Sequence, residues 1–267
     1  MTAFSPIFEP FIASEAEGFL AVFKPAGMHS VPDLALWLAA AKPLQVERFA
    51  ASTDPLVHPR MKAELGMLSR LDRATSGIVL FARTPESFLA AFEARQKGKM
   101  VKHYRLMAAG AEGSGELPGS RPLRCPVPGI GPLFDRSGEA KETTLTIASY
   151  FRSYGEKGAR VACVAAESRS ETKKALSPSL HTTTILRAGS ASVAEFAGFG
   201  AVVEVEAMIT SGFRHQVRAH LAWAGYPIAG DSIYDGREAS RLYLECHRVE
   251  LTLHGCTPLV FELYDPA

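Results

Sequence analysis

Three stretches of this chain combine residue types that could do chemistry. In Arg70-Leu71-Asp72-Arg73 a carboxylate sits between two guanidinium groups. Thr75-Ser76-Gly77 follows as a turn signal. The apolar run 78–82 then has the length and composition of a buried strand. A carboxylate on a short loop leading into a core strand has the rigid support a reactive group needs. The plainer reading is a surface ion pair, worth under ~1 kcal/mol. The second stretch is Gly212-Phe213-Arg214-His215-Gln216-Val217-Arg218-Ala219-His220. Read as a helix over 214–224, it opens on a cation, which the helix dipole disfavours unless an anion binds there. His215 and Arg218 share a face, and Arg218 could reach a carboxylate on a neighbouring loop. The alternative is a surface helix with scattered basic residues. The third is Lys102-His103-Tyr104-Arg105, where Tyr104 is either half-buried sheet packing or a stacking platform for a base.

These residues need elements to position them. Residues 18–23 read as a buried strand, ended by Lys24-Pro25-Ala26-Gly27. Asp33 could cap a short helix through 34–40. Residues 1–17 lack clear periodicity, and the proline-containing stretch 42–66 reads as a long connection. After the 78–82 strand, Thr84 as cap, Pro85 at the first position and Glu86 in the first turn announce a helix. Gly98 ends it. Residues 100–108 read as a strand with Lys102, Tyr104 and Leu106 on one side and Val101, His103 and Arg105 on the other. Further strands are expected at 143–151, 160–166, 181–186, 199–209, 241–246, 249–253 and 259–263. Residues 110–140 look like a surface excursion, and 167–180 like a polar, mobile loop. Many strands with a few interposed helices argue for one α+β unit, not a βαβ series.

Composition narrows the classes. The chain has 267 residues, 47% hydrophobic and 21% charged, with a net charge of +1. That is ordinary for a globular protein large enough to fold without staples. Its charge does not mark a nucleic-acid binder, but a local basic patch can serve. Arg95, Lys97, Lys99, Lys102, His103 and Arg105 form one. The four cysteines make no C-x-x-C pair and fit no zinc pattern, and the eight histidines show no tight ligand spacing, so no metal is assigned. No secretory signal or transmembrane stretch is seen, and the expected location is the cytoplasm with reduced thiols. There is no G-x-G-x-x-G after a strand, no G-x-x-x-x-G-K-[ST], no H-E-x-x-H and no G-x-S-x-G. That weakens dinucleotide enzymes, P-loop NTPases, zincins and α/β-hydrolases.

The stretches resemble the motifs of the RluA-type RNA pseudouridine synthases, in that family's order. Residues 20–27 are similar to "V-x-x-K-P-A-G", 69–81 to "H-R-L-D-x-x-T-S-G-x-x-L-F", and Lys102-His103-Tyr104 to "K-x-Y". Residues 212–220 are similar to "G-R-T-H-Q-I-R-V-H", and 225–234 to "G-H-P-I-x-G-D-x-x-Y". The resemblance implies an α+β fold with an extended, mixed, mostly antiparallel sheet, helices packed on it and a central catalytic cleft. It implies isomerisation of uridine in ribosomal or transfer RNA, without cofactor or metal. The bond from ribose C1′ to uracil N1 is broken, the base turns, and C1′ is joined to C5.

By the same resemblance, Asp72 falls on the essential aspartate, Tyr104 on the tyrosine that packs against the target base, and Arg218 on the basic residue that pairs with the aspartate. Arg70 falls on the arginine that displaces the nucleotide, and Leu244 on an apolar residue lining the uracil pocket. Lys102, Arg214, His215 and Gln216 belong to the motifs expected to face substrate or RNA. Asp72 must be ionised to attack a sugar carbon or accept a 2′ proton. A uracil inside a stem must be flipped out, at a cost of a few kcal/mol. Three positions depart from the pattern: Ser69 for His, Phe213 for Arg, Arg214 for Thr. The first motif begins within about twenty residues of the start, so a single catalytic domain over 1–267, monomeric and without a small N-terminal RNA-binding domain, is expected. Two rivals stand beside this reading. One is a catalytically silent RNA-binding protein on the same scaffold. The other is a glycoside hydrolase pairing Asp72 with a second carboxylate such as Asp231, ~5–9.5 Å away.

Overall fold

The computed structural model describes residues 8–55, 57–109, 144–165, 179–190 and 202–263. The stretch 110–140 and most of 167–180 lie outside them. The chain divides into two compact units, one of residues 2–103 and 245–267, the other of 104–244.

The first unit is built on β2 (Phe19–Lys24) and β3 (Ser76–Ala82), every residue of which is buried. That burial on both faces is why both read as unbroken apolar runs. They pair antiparallel from Phe19↔Ala82 to Lys24↔Gly77. β1 (Phe11–Ala16) pairs antiparallel with β2, and β3 pairs parallel with β9 (Leu244–Leu251) at Ser76↔Glu245 and Gly77↔Cys246. β10 (Leu259–Glu262) pairs antiparallel with β9. Three short helices, α1 (Ala35–Ala41), α2 (Pro43–Ala50) and α3 (Pro59–Ala63), precede β3. α4 (Pro85–Gln96) follows it, with the Thr84 side chain accepting from the Ser87 N–H at 3.2 Å, as its capping sequence predicts.

The second unit holds most of β4 (Met100–Ala109), then β5 (Leu145–Tyr154), β6 (Arg160–Val164), β7 (His181–Ser190) and β8 (Val202–Ile209). β8 pairs with β7, β7 with β5 and β5 with β6, all antiparallel. Among the described residues α5 (Gln216–Trp223) is the α-helix of this unit, and all eight of its residues are buried. The fold is α+β with a mostly antiparallel sheet, as expected.

Four local expectations are corrected. β1 escapes notice because its half-exposed residues show no alternation that a core would impose. Residues 42–66 hold α2 and α3, where the reading sees only connection. Pro43 and Pro59 each open a helix, a position that loses nothing by lacking an N–H. The two strands expected at 241–246 and 249–253 are one strand, β9, in which half-buried His247 and Arg248 mimic a break. The helix expected from Arg214 begins at Gln216, because His215 takes a left-handed φ of 56°. Arg214 therefore lies outside the helix and no cation burdens its first residue.

Gly77 sits where the loop bearing Asp72 enters the core. Its φ is +120°, and a Cβ there would run into the backbone of Cys246. No other residue type meets both conditions. Gly77→Ala is expected to lose more than ~1 kcal/mol of stability, a fall in Tm above ~2 °C in thermal denaturation.

Candidate active site

In the first unit the question is how a carboxylate on a loop is held still. The turn at 72–75 is closed by a bond from the Thr75 N–H to the Asp72 carbonyl, 3.1 Å. The buried Ser30 hydroxyl clamps the residue before it, donating to the Leu71 carbonyl at 2.9 Å and accepting from the Leu71 N–H at 3.1 Å. The residue after it is held as well. The Arg73 carbonyl accepts from the Gly27 N–H at 2.8 Å, and Arg73 Nε donates to the Gly27 carbonyl at 2.9 Å. Asp72 itself is half-buried.

Lys24, fully buried at the end of β2, finishes this clamp. Its Nζ donates to the carbonyls of Pro25 and Met28, both at 2.9 Å, and of Arg73 at 3.3 Å. Burial pushes its pKa down to about 7, opposed by the Asp72 and Asp33 carboxylates. Lys102 is also buried, which lowers its pKa, with Cys246 and Asp72 opposing. The Asp72 carboxylate thus lies within electrostatic reach of two buried lysines.

Arg70 and Arg73 are exposed, and Arg70 is paired with Glu64. The basic patch is dispersed. Lys97 pairs with Glu93 at 2.6 Å, His103 with Glu250 at 3.3 Å, and Arg95 donates to the Leu68 carbonyl. Lys102 faces inward, so it is no phosphate contact from the surface.

In the second unit α5 presents Arg218, 3% exposed. Its guanidinium grips Asp231 with two bonds, Nε to Oδ2 and Nη2 to Oδ1, each 2.7 Å. This fork geometry is the strong form of the pair. Asp231 Oδ1 also accepts from the backbone N–H groups of Ile233 and Tyr234 at 3.0 and 3.3 Å. The Tyr234 ring lies 5.5 Å from the Arg218 guanidinium carbon. Its hydroxyl bonds to the N–H and carbonyl of Val161 and to His215 Nδ1, each 3.1 Å. So Asp231, the second carboxylate of the hydrolase rival, is a fixed structural partner of Arg218.

Several motif residues serve the frame of this unit. Gln216 is buried; its amide donates to the Thr182 carbonyl at 2.7 Å and its oxygen accepts from the Phe213 N–H at 3.0 Å. Arg214 is exposed and bonds to the carbonyls of Gly158 and Arg160. Phe213 stacks on Phe151 with centroids 5.0 Å apart and planes at 5°, and touches His181 at 4.9 Å. Tyr104 and Leu244 are buried, at 5% and 3% exposure. Among the described residues no cluster is arranged to hold a metal.

A family model described as RNA pseudouridylate synthase matches residues 18–223. The chain belongs to that family. It is an RNA pseudouridine synthase, and its RluA-type motifs agree. A solved structure titled "Human RNA Pseudouridylate Synthase Domain Containing 1" is similar at a TM-score of 0.62 and 16% identity, covering 97% of this chain and 84% of that one. A second, "Human RNA Pseudouridylate Synthase Domain Containing 4", is similar at 0.53 and 15%, covering 96% and 88%. At those identities they speak for the shared fold. No curated protein matches the chain.

Sequence reasoning missed the pseudouridine synthase's clamp on Asp72. Lys24 reads in the sequence as part of the turn that ends a strand, and Ser30 carries no signal of its own. The available signal was a lysine closing a wholly apolar strand, since a lysine so placed is buried only with partners. Asp231 was noticed for the wrong chemistry. The pattern Gly230-Asp231-Ser232-Ile233-Tyr234 gives no hint that its carboxylate reaches a guanidinium thirteen residues earlier.

His220 fixes α5 from below. Its ring bonds to Ser149 Oγ at 2.9 Å and Thr183 Oγ1 at 2.8 Å, fully buried. Burial, with the His181 ring, pushes its pKa down to about 3. The unfolded chain binds this proton below about 6.5, the folded chain only near 3, so stability falls as pH drops through that window. At pH 5 the loss from this group is on the order of 2 kcal/mol. Urea unfolding at pH 7 and 5 measures it; His220→Gln should flatten the difference.

Proposed function

We propose that the chain isomerises specific uridines in ribosomal or transfer RNA, with Asp72 as the essential carboxylate. The observation that carries this is the clamp on Asp72. Ser30, Gly27 and Lys24 hold the backbone on both sides of a half-buried carboxylate. A carboxylate needed only for solubility requires no such fixing. Two buried lysines lie within electrostatic reach of it, and attack on C1′ and acceptance of a 2′ proton both require an ionised carboxylate.

The other roles follow the family resemblance. Tyr104 packs against the target base, a contact worth ~1–3 kcal/mol that offsets the cost of flipping it out. Arg218 falls on the family's basic partner of the aspartate, and its grip on Asp231 fixes the guanidinium in one orientation. Arg70, exposed on the same loop as Asp72, acts in displacing the nucleotide. His215 orients through its bond to Tyr234, and Leu244 lines the uracil.

Pseudouridine mapping of total RNA incubated with wild type and with Asp72→Asn tests the reading. Wild type is expected to add pseudouridine at a few positions. Asp72→Asn should lose at least ~10²-fold in rate with RNA binding retained. Identical maps would instead indicate a silent RNA-binding protein.

A further inference from the structure

Lys24 and Lys102 lie in the same unit, are both buried, and both feel the charge of Asp72. They differ in one respect. Lys24 spends its three donors on three backbone carbonyls. Lys102 is 6% exposed and has no hydrogen bond or ion pair among the described residues. Buried polar groups are almost always satisfied, yet the Lys102 ammonium is not among the enclosed polar atoms that lack a partner. It opens onto a small space in which a ligand can supply the acceptor.

Its position narrows what that ligand is. On β4, Lys102 and Tyr104 point to the same side and are both buried. An ammonium at that depth does not meet a backbone phosphate on the surface. It meets an uncharged acceptor carried inward by a base. We propose that Lys102 is a catalytic residue that donates a hydrogen bond to a carbonyl oxygen of the target uracil.

This rests on the uridine-isomerase reading above and says how the leaving base is stabilised. When the C1′–N1 bond breaks, its electron pair goes to the uracil and is shared among N1, O2 and O4. A donor aimed at O2 or O4 is worth most at that moment, because the oxygen is then closest to an anion. The C1′–C5 bond forms next. The C5 proton leaves, its electron pair restores the C5–C6 double bond, and N1 takes up a proton. Lys102 keeps its own proton throughout.

The test uses the full chain, total RNA from cells lacking its gene, and two variants. Lys102→Met removes the donor at similar length. It is expected to melt no lower than wild type, because no protein contact of the ammonium is lost. Single-turnover pseudouridine formation should fall by about 10²-fold with RNA affinity unchanged. Lys102→Arg keeps a donor and should recover part of the rate. A Lys102→Met protein as active as wild type would overturn the proposal while leaving the proposed function standing. One whose loss of rate matches a loss of Tm would also overturn it, by showing a structural lysine. A wild type that makes no pseudouridine would sink the proposed function and this inference with it.

Discussion

The Lys24 ammonium is the interaction on which the first unit's loops depend. A lysine at the buried end of a central strand would be destabilising if its three protons found no acceptors. Here the chain folds back twice to provide them, once through the carbonyls of Pro25 and Met28 and once through that of Arg73. The first return shapes the turn after β2. The second ties that turn to the loop of Asp72. Because Lys24 pairs with Gly77 across β2 and β3, the tie is made at the point where the Asp72 loop joins the sheet. Ser30 then closes the same join from the other side. A single buried charge thus turns two loops far apart in sequence into one rigid piece, and the carboxylate inherits that rigidity.

The second unit solves the opposite problem, a buried cation that must keep one direction. Arg218 is given a carboxylate in fork geometry, and the carboxylate is itself held by two backbone N–H groups. Breaking such a pair by removing one partner costs about 3–5 kcal/mol, because the other charge is stranded. The aromatic ring of Tyr234 covers the guanidinium, and its hydroxyl is anchored to Val161. Each member therefore has its position fixed by the next, and the chain of contacts ends in main-chain groups of β6. Side-chain freedom, which a long arginine would otherwise bring, is removed before any substrate arrives.

How much of this was legible in the sequence follows from which interactions are local. β2 and β3 were legible because burial on both faces writes an unbroken apolar run. α4 was legible because Thr84, Pro85 and Gly98 act within one turn of their own positions. Asp72 stood out because its loop leads directly into β3. The partners of Lys24, Ser30 and Arg218 were not legible, since they come from 49, 41 and 13 residues away. Pairings at that range are set by strand register and loop path, which leave no periodic trace. The start of α5 was misjudged for a local reason of another kind. His215 looks like an ordinary helical residue and adopts a left-handed conformation instead, tied by its ring to Tyr234.

The three departures from the family pattern can be read physically. Phe213, where an arginine is usual, is stacked on Phe151 and tilted against His181. A cation is exchanged for aromatic packing, and the segment loses positive charge. Arg214 brings one back, but its guanidinium is turned onto the carbonyls of Gly158 and Arg160. Ser69, where histidine is usual, is buried and its hydroxyl has no hydrogen-bond partner among the described residues. Two of the changes remove a basic side chain, and the third adds one that is engaged by backbone carbonyls. The surface shows the same economy, with Arg70 and Lys97 each already paired with a glutamate. With a net charge of +1, counterion release from phosphates can supply only part of the affinity for RNA.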